Sequence, residues 1–259
     1  MRWRGKVEKY LEEKLSTYGA LHFSLIDPEK IMDTNEVSRL GKMLSEAGTD
    51  AFLVGGSIAV SEFMIDEVVK VLEEFELPTI LFPGNVSGLS RYADAILFMS
   101  LLNSEDPYFI IGAQMIAAPL VKRYGLEVLP TAYIIIGYGG AAGHVGRARP
   151  IPYEKPEIAA AYALAAELMG MKYIYLEAGS GAPKPVPPEM VSKVKKSIER
   201  AKLIVGGGIR NPEVALKLVE KGADIIVTGT VIEERLEDAL NFIRLFKKGM
   251  KEMRSTKLT

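Results

Sequence analysis

Glycine-rich turns with a few oxygen-bearing side chains follow three of the short apolar runs in the sequence. They span residues 177–181, 206–210 and 228–230. Glycines let backbone N–H groups approach an anion, and a helix that begins after such a turn adds the positive end of its dipole. The combined pattern predicts a phosphate-binding site, and the alternative is that the glycines only form tight turns.

Two side chains with metal-binding oxygens follow the first two apolar runs. Asp27 comes after the first run, and Ser57 ends the glycine turn 55–57 after the second. Mg²⁺ commonly takes one or two protein oxygens together with substrate phosphates, so Asp27 and Ser57 are candidate Mg²⁺ ligands. The alternative for Asp27 is an Asx turn or a helix cap into the two residues that follow it.

An acid and two aromatic residues alternate along the sixth apolar run. The period of two along a strand places Tyr173, Tyr175 and Glu177 on one face. If that face points into a ligand pocket, Glu177 can accept a hydrogen bond from a substrate hydroxyl or act as a base. Tyr175 then lines the pocket just below it, and a surface ion pair is the alternative for Glu177.

The other groups with possible chemistry are two histidines and two arginines. His22 and His144 are interpreted as packing or loop residues, because no nucleophile motif accompanies either. Arg147 and Arg149, in the loop after the fifth run, can neutralise a diphosphate if they face the same pocket. Solvated loop charges are an equally good interpretation of both arginines.

The elements that must position these residues alternate between strands and helices. Eight short apolar runs are separated by longer amphipathic stretches, which predicts βα units. The predicted strands are Ala20–Ile26, Ala51–Val54, Thr79–Phe82, Ala95–Phe98, Ala132–Ile136, Tyr173–Leu176, Leu203–Val205 and Ile225–Val227. We expect an α/β fold, a (β/α)8 TIM barrel with its functional residues at the C-terminal strand ends, and a doubly wound open sheet is the alternative.

One βα step is too short for a full helix. Only the 12 residues 83–94 separate the third and fourth strands, and they include two glycines and a proline. The third helix of the barrel is therefore predicted to be missing or vestigial, which leaves a gap where a long apolar ligand can lie. We expect residues 1–259 to form a single barrel domain with an N-terminal helix.

Composition excludes several classes of protein. The formal net charge is −1, which argues against a nucleic-acid partner. The absence of Cys and the presence of only two His exclude disulfides, thiol catalysis and Cys/His zinc sites, so a metal here would be held by oxygen. Neither a signal peptide nor a membrane span of about 20 apolar residues is recognisable, and we expect a cytoplasmic protein.

Two other classes of function remain as alternatives. A phosphosugar isomerase or Schiff-base aldolase can use the same barrel, but an aldolase needs a lysine at a C-terminal strand end. Lys172 and Lys202 precede their predicted strands, so the aldolase alternative weakens. A non-catalytic binder of phosphate-bearing ligands is the second alternative, and turnover by the purified protein separates the two.

Six motifs, taken in order, resemble those of the geranylgeranylglyceryl phosphate synthases, archaeal prenyltransferases that make the first ether bond of membrane lipids. They cover nearly the whole chain, and YLEAGSGAP together with VGGGIR is the specific pair. The motifs are His22–Lys30, Val54–Ser57, Arg147–Pro152, Tyr175–Pro183, Val205–Arg210 and Thr228–Thr230.

The resemblance implies a modified barrel without its third helix, and a reaction between sn-glycerol 1-phosphate and geranylgeranyl diphosphate. It implies Mg²⁺ at Asp27 and Ser57, and it implies that Glu177 orients or deprotonates the attacking hydroxyl, with Tyr175 beside it. The implied glycerol phosphate site comprises Tyr175, Leu176, Glu177, Ala178, Gly179, Ser180, Gly181, Gly206, Gly207, Gly229 and Thr230.

The C-terminal segment 241–259 is strongly basic. It holds six Lys or Arg against one Glu, with Phe242, Leu245 and Phe246 among them. Such a segment is compatible with a peripheral contact to an anionic membrane from which a lipid substrate is drawn. A packed final helix with a solvated tail is the favoured alternative.

We predict that the protein forms homo-oligomers. Residues 107–121 are apolar on nearly every side, which suits a helix covered by the barrel on one face and by a second copy of the chain on another. The alternative is a fully packed internal helix. Light scattering at micromolar concentration should give a multiple of the 28.4 kDa chain mass, and a monomeric mass would remove the hypothesis.

Overall fold

The structure is a computed structural model that describes residues 3–31, 33–56 and 61–258. Its eight strands follow one another in chain order around a closed barrel, which confirms the (β/α)8 prediction and shows that the open-sheet alternative is wrong. The strands are Leu21–Ile26 (β1), Ala51–Val54 (β2), Thr79–Leu81 (β3), Ala95–Leu101 (β4), Glu127–Ile135 (β5), Tyr173–Glu177 (β6), Lys202–Gly206 (β7) and Ile225–Thr228 (β8).

Helices alternate with these strands in the described part of the chain. Several begin at side-chain caps that the sequence supplies, such as Asn211, whose Oδ1 accepts a hydrogen bond from Val214 N at 2.8 Å. The helices are Val7–Tyr18 (α1), Thr34–Ala47 (α2), Glu62–Leu72 (α3), Ala113–Tyr124 (α4), Gly140–Val145 (α5), Pro156–Leu168 (α6), Pro188–Ser197 (α7), Pro212–Glu220 (α8), Thr230–Glu234 (α9) and Leu236–Leu258 (α10).

The chain divides into two compact units. The first contains Met1–Leu97, Ala117–Val128 and Thr228–Thr259, and the second contains Phe98–Ile116 and Leu129–Val227. The strand pairs within each unit are parallel, with Phe23 opposite Ala51 in the first and Glu177 opposite Gly206 in the second. That residues 1–259 form a single domain stays a prediction.

The step between β3 and β4 contains no α-helix. A single 3-10 turn, Val86–Gly88, stands there, which confirms that the third helix is vestigial. The turn is fixed locally, because Asn85 Oδ1 accepts a hydrogen bond from Ser87 N at 2.8 Å.

β5 begins five residues earlier than the sequence predicts. Glu127 and Pro130 interrupt the apolar pattern, but Glu127 N donates to Asp94 O at 3.1 Å and so extends the strand. The Glu127 carboxylate also accepts hydrogen bonds from Val7 N and Glu8 N, at 2.7 and 2.9 Å, and caps the first turn of α1. A distant contact of this kind carries no signal in the local sequence.

The core of the first unit contains a buried polar network around His22. Its Nδ1 lies 3.1 Å from Thr49 Oγ1, its Nε2 lies 2.9 Å from Thr228 Oγ1, and its ring packs on Phe242 and Phe246. Burial, followed by the nearby Lys247 charge, lowers the pKa of His22 to about 3, so the ring is neutral at physiological pH. The interpretation of His22 as a packing residue is confirmed.

Two apolar segments differ in exposure. Ile111, Met115 and Ile116, around the start of α4, are 64%, 66% and 49% exposed, so the alternative of a fully packed internal helix is wrong. Phe242 and Phe246 of α10 are buried instead, and neither can face a membrane.

No helix in the described ranges combines the length and apolar character needed to cross a bilayer.

A buried carboxylate fixes the loop that leads into β7. Glu167, at the end of α6, is 8% exposed and accepts hydrogen bonds from the backbone N–H groups of Glu199, Arg200 and Ala201. Burial by itself raises the pKa of Glu167, but these three donors outweigh it and leave the pKa below its ordinary value. The charged Glu167 carboxylate therefore stabilises the folded state at neutral pH, and this stabilisation is lost as the pH falls through the folded-state pKa of Glu167.

We predict that Glu167→Gln lowers the free energy of unfolding by about 2 kcal/mol, because charge-assisted hydrogen bonds to a buried acceptor weaken. Chemical denaturation at neutral pH provides the measurement. Glu154→Gln, which removes the same charge from an exposed position, is the matched control and should change the free energy little. Equal effects of the two substitutions would contradict the assignment.

Candidate active site

The Glu177 carboxylate lies at the centre of the candidate site in the second unit. It ends β6, is 6% exposed, and Oε1 accepts a hydrogen bond from Gly179 N at 2.6 Å. The side chains of Tyr133 and Tyr175 also hydrogen-bond to it. The β5–β6 register explains this grouping, because Tyr133 lies opposite Tyr175 and their side chains share the face of Glu177.

Burial shifts the protonation of this cluster. Desolvation raises the pKa of Glu177 to about 7, although the Gly179 N–H and the two tyrosine hydroxyls stabilise the carboxylate. The same burial, and then the nearby Glu177 charge, raises the pKa of both tyrosines well above the ordinary value, so they remain hydrogen-bond donors. Glu177 therefore changes protonation near neutral pH, which suits a general base. The alternative of a surface ion pair for Glu177 is wrong.

The turn after β6 is held in shape by two other loops of its unit. Gly179 has a φ of +106°, and a Cβ there would meet Gly140 N at 2.5 Å. Gly139 N donates to Ala178 O at 2.8 Å, and the guanidinium of Arg210 donates to Ala182 O at 2.8 Å. Ser180 and Gly181 are left exposed at the tip of the turn, where a ligand can reach them.

The glycines after β7 make room for the cluster. A Cβ at Gly206 would meet the Tyr175 hydroxyl at 2.2 Å, and one at Gly207 would meet Glu177 Oε1 at 2.4 Å. Close packing therefore requires these two glycines. That their N–H groups also bind phosphate stays a prediction, as does a ligand contact of Leu176, whose side chain alternates away from the face of Glu177.

The first unit contains Asp27, directly after β1. Its Oδ1 accepts a hydrogen bond from Glu29 N at 3.1 Å, so the Asx turn considered as the alternative is present, and Oδ2 accepts none from the described residues. Partial burial raises the pKa of Asp27, opposed by the Glu29 N–H and by Lys30. The neighbouring Lys30 is paired with Glu233.

The other proposed Mg²⁺ ligand, Ser57, lies outside the described residues. Among the residues that the structure describes, no group of three or more His, Asp or Glu side chains is arranged to bind a metal ion. The last phosphate candidates, Gly229 and Thr230, stand at the start of α9 and are partly exposed.

The loop after β5 presents its basic residues to solvent. Arg147 forms an ion pair with Asp106 at 3.4 Å, and its side chain is 73% exposed. Arg149 and His144 are exposed as well, so His144 is a surface residue of α5. Contact of either arginine with a diphosphate stays a prediction.

Sequence reasoning missed two residues that organise the second unit. Tyr133 reaches Glu177 from β5, and the signal for it was available in the period of two along that strand. Asn103 donates to Ile135 O and to Arg149 O, both at 2.9 Å, and so ties the loop after β5 to the strand. Nothing in the local sequence around Asn103 indicates that role.

Comparison with known proteins places this arrangement in a family. The PcrB family matches residues 9–248. The chain belongs to the PcrB family. This PcrB family member is 56% identical over 247 residues to the geranylgeranylglyceryl phosphate synthase of Saccharolobus solfataricus, with 95% of this chain and 96% of the relative covered. The enzyme of the same name from Sulfolobus acidocaldarius is 55% identical, with the same coverage.

Solved structures agree with the sequence comparison. The (S)-3-O-geranylgeranylglyceryl phosphate synthase of Thermoplasma acidophilum, in complex with sn-glycerol-1-phosphate, has a TM-score of 0.87 and 38% identity to this PcrB family member, covering 93% of this chain and 98% of that one. The Thermoplasma volcanium enzyme also has a TM-score of 0.87, at 41% identity, covering 93% and 97%. The resemblance inferred from the motifs is confirmed.

We predict that the Glu177 carboxyl titrates near pH 7 and that Tyr133→Phe raises its pKa further, because a donor to the carboxylate is lost. Carboxyl ¹³C NMR of glutamate-labelled protein measures this, with Glu177→Gln identifying the signal. Tyr162→Phe removes a hydroxyl from α6 and is the control that should leave the titration unchanged. A signal that titrates in the ordinary glutamate range would contradict the prediction.

Proposed function

We propose that the protein is a prenyltransferase that joins sn-glycerol 1-phosphate to geranylgeranyl diphosphate and releases diphosphate. The observation that carries the proposal is the buried Glu177 carboxylate, held by two tyrosine hydroxyls beside glycine turns. Relatives that bear the name of this activity, and a neighbouring structure in complex with sn-glycerol-1-phosphate, support it.

In the proposed reaction, a glycerol hydroxyl oxygen forms a bond to C1 of the prenyl chain. The bond between C1 and the diphosphate oxygen breaks, and its electron pair leaves with the diphosphate. The hydroxyl proton passes to the Glu177 carboxylate, whose pKa of about 7 allows it to accept a proton at neutral pH and release it afterwards.

The glycine turns would bind the phosphate of glycerol phosphate. Backbone N–H groups of residues 180–181 and 206–207, all in the second unit, are the proposed donors, because the Gly179 N–H already donates to Glu177. Binding through the backbone leaves the Glu177 side chain for the hydroxyl. The prenyl chain would lie where the 3-10 turn Val86–Gly88 replaces the third helix.

The donor chemistry of Asp27 fits Mg²⁺. A carboxylate with one oxygen that takes no hydrogen bond from the described residues is the kind of ligand that Mg²⁺ takes from a protein when phosphates supply other oxygens. We assign Asp27 and Ser57 to this role. When bound, Mg²⁺ would supply positive charge that stabilises the departing diphosphate.

Schiff-base chemistry has little support in this fold. Lys172 immediately precedes β6 and Lys202 is the first residue of β7, so both stand at N-terminal strand ends.

The prenyltransferase proposal is tested by incubating the purified protein with sn-glycerol 1-phosphate and a mixture of prenyl diphosphates and analysing the products by mass spectrometry. A geranylgeranyl product is expected, and no turnover would favour a non-catalytic binder.

We predict that substitutions of Asp27 and Glu177 impair different steps of the reaction. Asp27→Asn should weaken the response to Mg²⁺ while glycerol phosphate binding stays nearly intact, because that ligand is held by the glycine turns. Glu177→Gln should lower turnover by roughly 10²-fold or more with an unchanged Mg²⁺ requirement, because the base is lost.

Separate titrations of Mg²⁺ and glycerol phosphate for each variant provide the test. Glu154→Gln, on an exposed loop, is the control for a change of charge alone. Near-normal turnover in both Asp27→Asn and Glu177→Gln would refute the assignment of the active site.

A further inference from the structure

A cavity of about 610 Å³ lies entirely within the first unit and contains none of the residues assigned to the reaction. We call it the basal cavity, and its walls are α1, the connection 47–50 before β2, Leu77 before β3, and the C-terminal half of α10. The residues from these connections precede strands, whereas the proposed catalytic residues follow strands. The volume falls within the range of small-molecule binding sites, about 300–1,000 Å³.

The basal cavity has a strongly positive lining. Its cations are Lys14, Lys247, Lys251 and Arg254, and its one carboxylate is Asp50. Asp50 is already neutralised, because its Oδ2 lies 2.5 Å from Lys247 Nζ. Among the described residues, the other three cations form no ion pair with a carboxylate, so the cavity has an excess of positive charge.

Aromatic rings, rather than acids, lie against the ammonium group of Lys14, and one of them also lies near Lys247. Lys14 Nζ lies 5.5 Å from the ring centre of Tyr10 and 5.2 Å from that of Tyr18, and Lys247 Nζ lies 5.4 Å from the Tyr18 ring. Tyr10 is itself fixed, because its hydroxyl donates to Asp50 O at 2.9 Å. A cation held over a ring keeps its N–H donors for an anion, whereas a salt bridge would occupy them.

We propose that the basal cavity binds the phosphate group of a phosphate ester. Lys14, Lys251 and Arg254 supply the charge, and the ring of Tyr18 and the side chain of Met250 provide apolar surface for the organic part of the ester. A phosphate ester has negative charge and several acceptor oxygens, which suit a lining with several cationic N–H donors. The ester is either a free metabolite or the headgroup of a lipid.

Tryptophan fluorescence can report binding in the basal cavity. Its single tryptophan, Trp3, packs on Tyr10 with ring centres 4.6 Å apart, and Tyr10 lines the cavity. Titration of the full chain with inorganic phosphate should change the Trp3 fluorescence saturably. Equilibrium dialysis with radiolabelled phosphate then measures how much phosphate is bound per chain.

The test variant is Lys251→Glu with Arg254→Glu, two exposed positions on α10. It should weaken the phosphate binding reported by Trp3 by about 10-fold or more, because two charge-assisted contacts become repulsive. Lys193→Glu with Lys196→Glu makes the same change of net charge on exposed positions of α7 and should leave binding unchanged. Turnover is expected to be unaffected in both double variants.

Vesicles distinguish the two sources of phosphate. Co-sedimentation of the native chain with phosphatidylglycerol vesicles but not with phosphatidylcholine vesicles, abolished in Lys251→Glu/Arg254→Glu, identifies a lipid headgroup. Phosphate binding without vesicle binding identifies a free phosphate ester. The proposal is overturned if the native chain and Lys251→Glu/Arg254→Glu bind the same amount of phosphate in dialysis, or if the α7 control loses binding equally.

Discussion

The buried carboxylate of Glu177 constrains several elements of the second unit at once. An isolated charge at 6% exposure is costly, so donors must converge on it, and they come from β5, from β6 and from the turn after β6. The space these donors occupy excludes any side chain at Gly206 and Gly207. The hydrogen bonds to Glu177 and the two glycines therefore have one physical origin, the need to stabilise a carboxylate away from solvent.

Local patterns predicted most of the fold. The eight strands, the barrel and the vestigial third helix follow from run length, period and the 12-residue spacing before β4, which are properties of neighbouring residues. The early start of β5 could not be predicted, because Glu127 pairs with Asp94 through its backbone and with α1, about 120 residues away, through its side chain. The burial of Phe242 against His22 depends on contacts that are even more remote in sequence.

The candidate site was also predicted only in part, because some of its residues come together through contacts between distant parts of the chain. Glu177 and Tyr175 alternate within one strand, so their common face is visible in the sequence, whereas Tyr133 joins them only through the β5–β6 register. Asp27 shows that two interpretations of one side chain can be compatible: one oxygen closes a turn and the other takes no hydrogen bond from the described residues. The prediction for Ser57 concerns a residue outside the described ranges.

The discontinuity of the first unit has a consequence for biosynthesis. The second unit includes the uninterrupted stretch Leu129–Val227, which emerges from a ribosome before α10 does. The first unit is assembled from three separated stretches of the chain. Asp50, for example, pairs with Lys247, which is synthesised 197 residues later. Until α10 is released, His22 and the wall of the barrel beside it stay uncovered in the nascent chain. Strand β1 is therefore synthesised long before α10, and the packing of His22 on Phe242 and Phe246 can form only after α10 has been released.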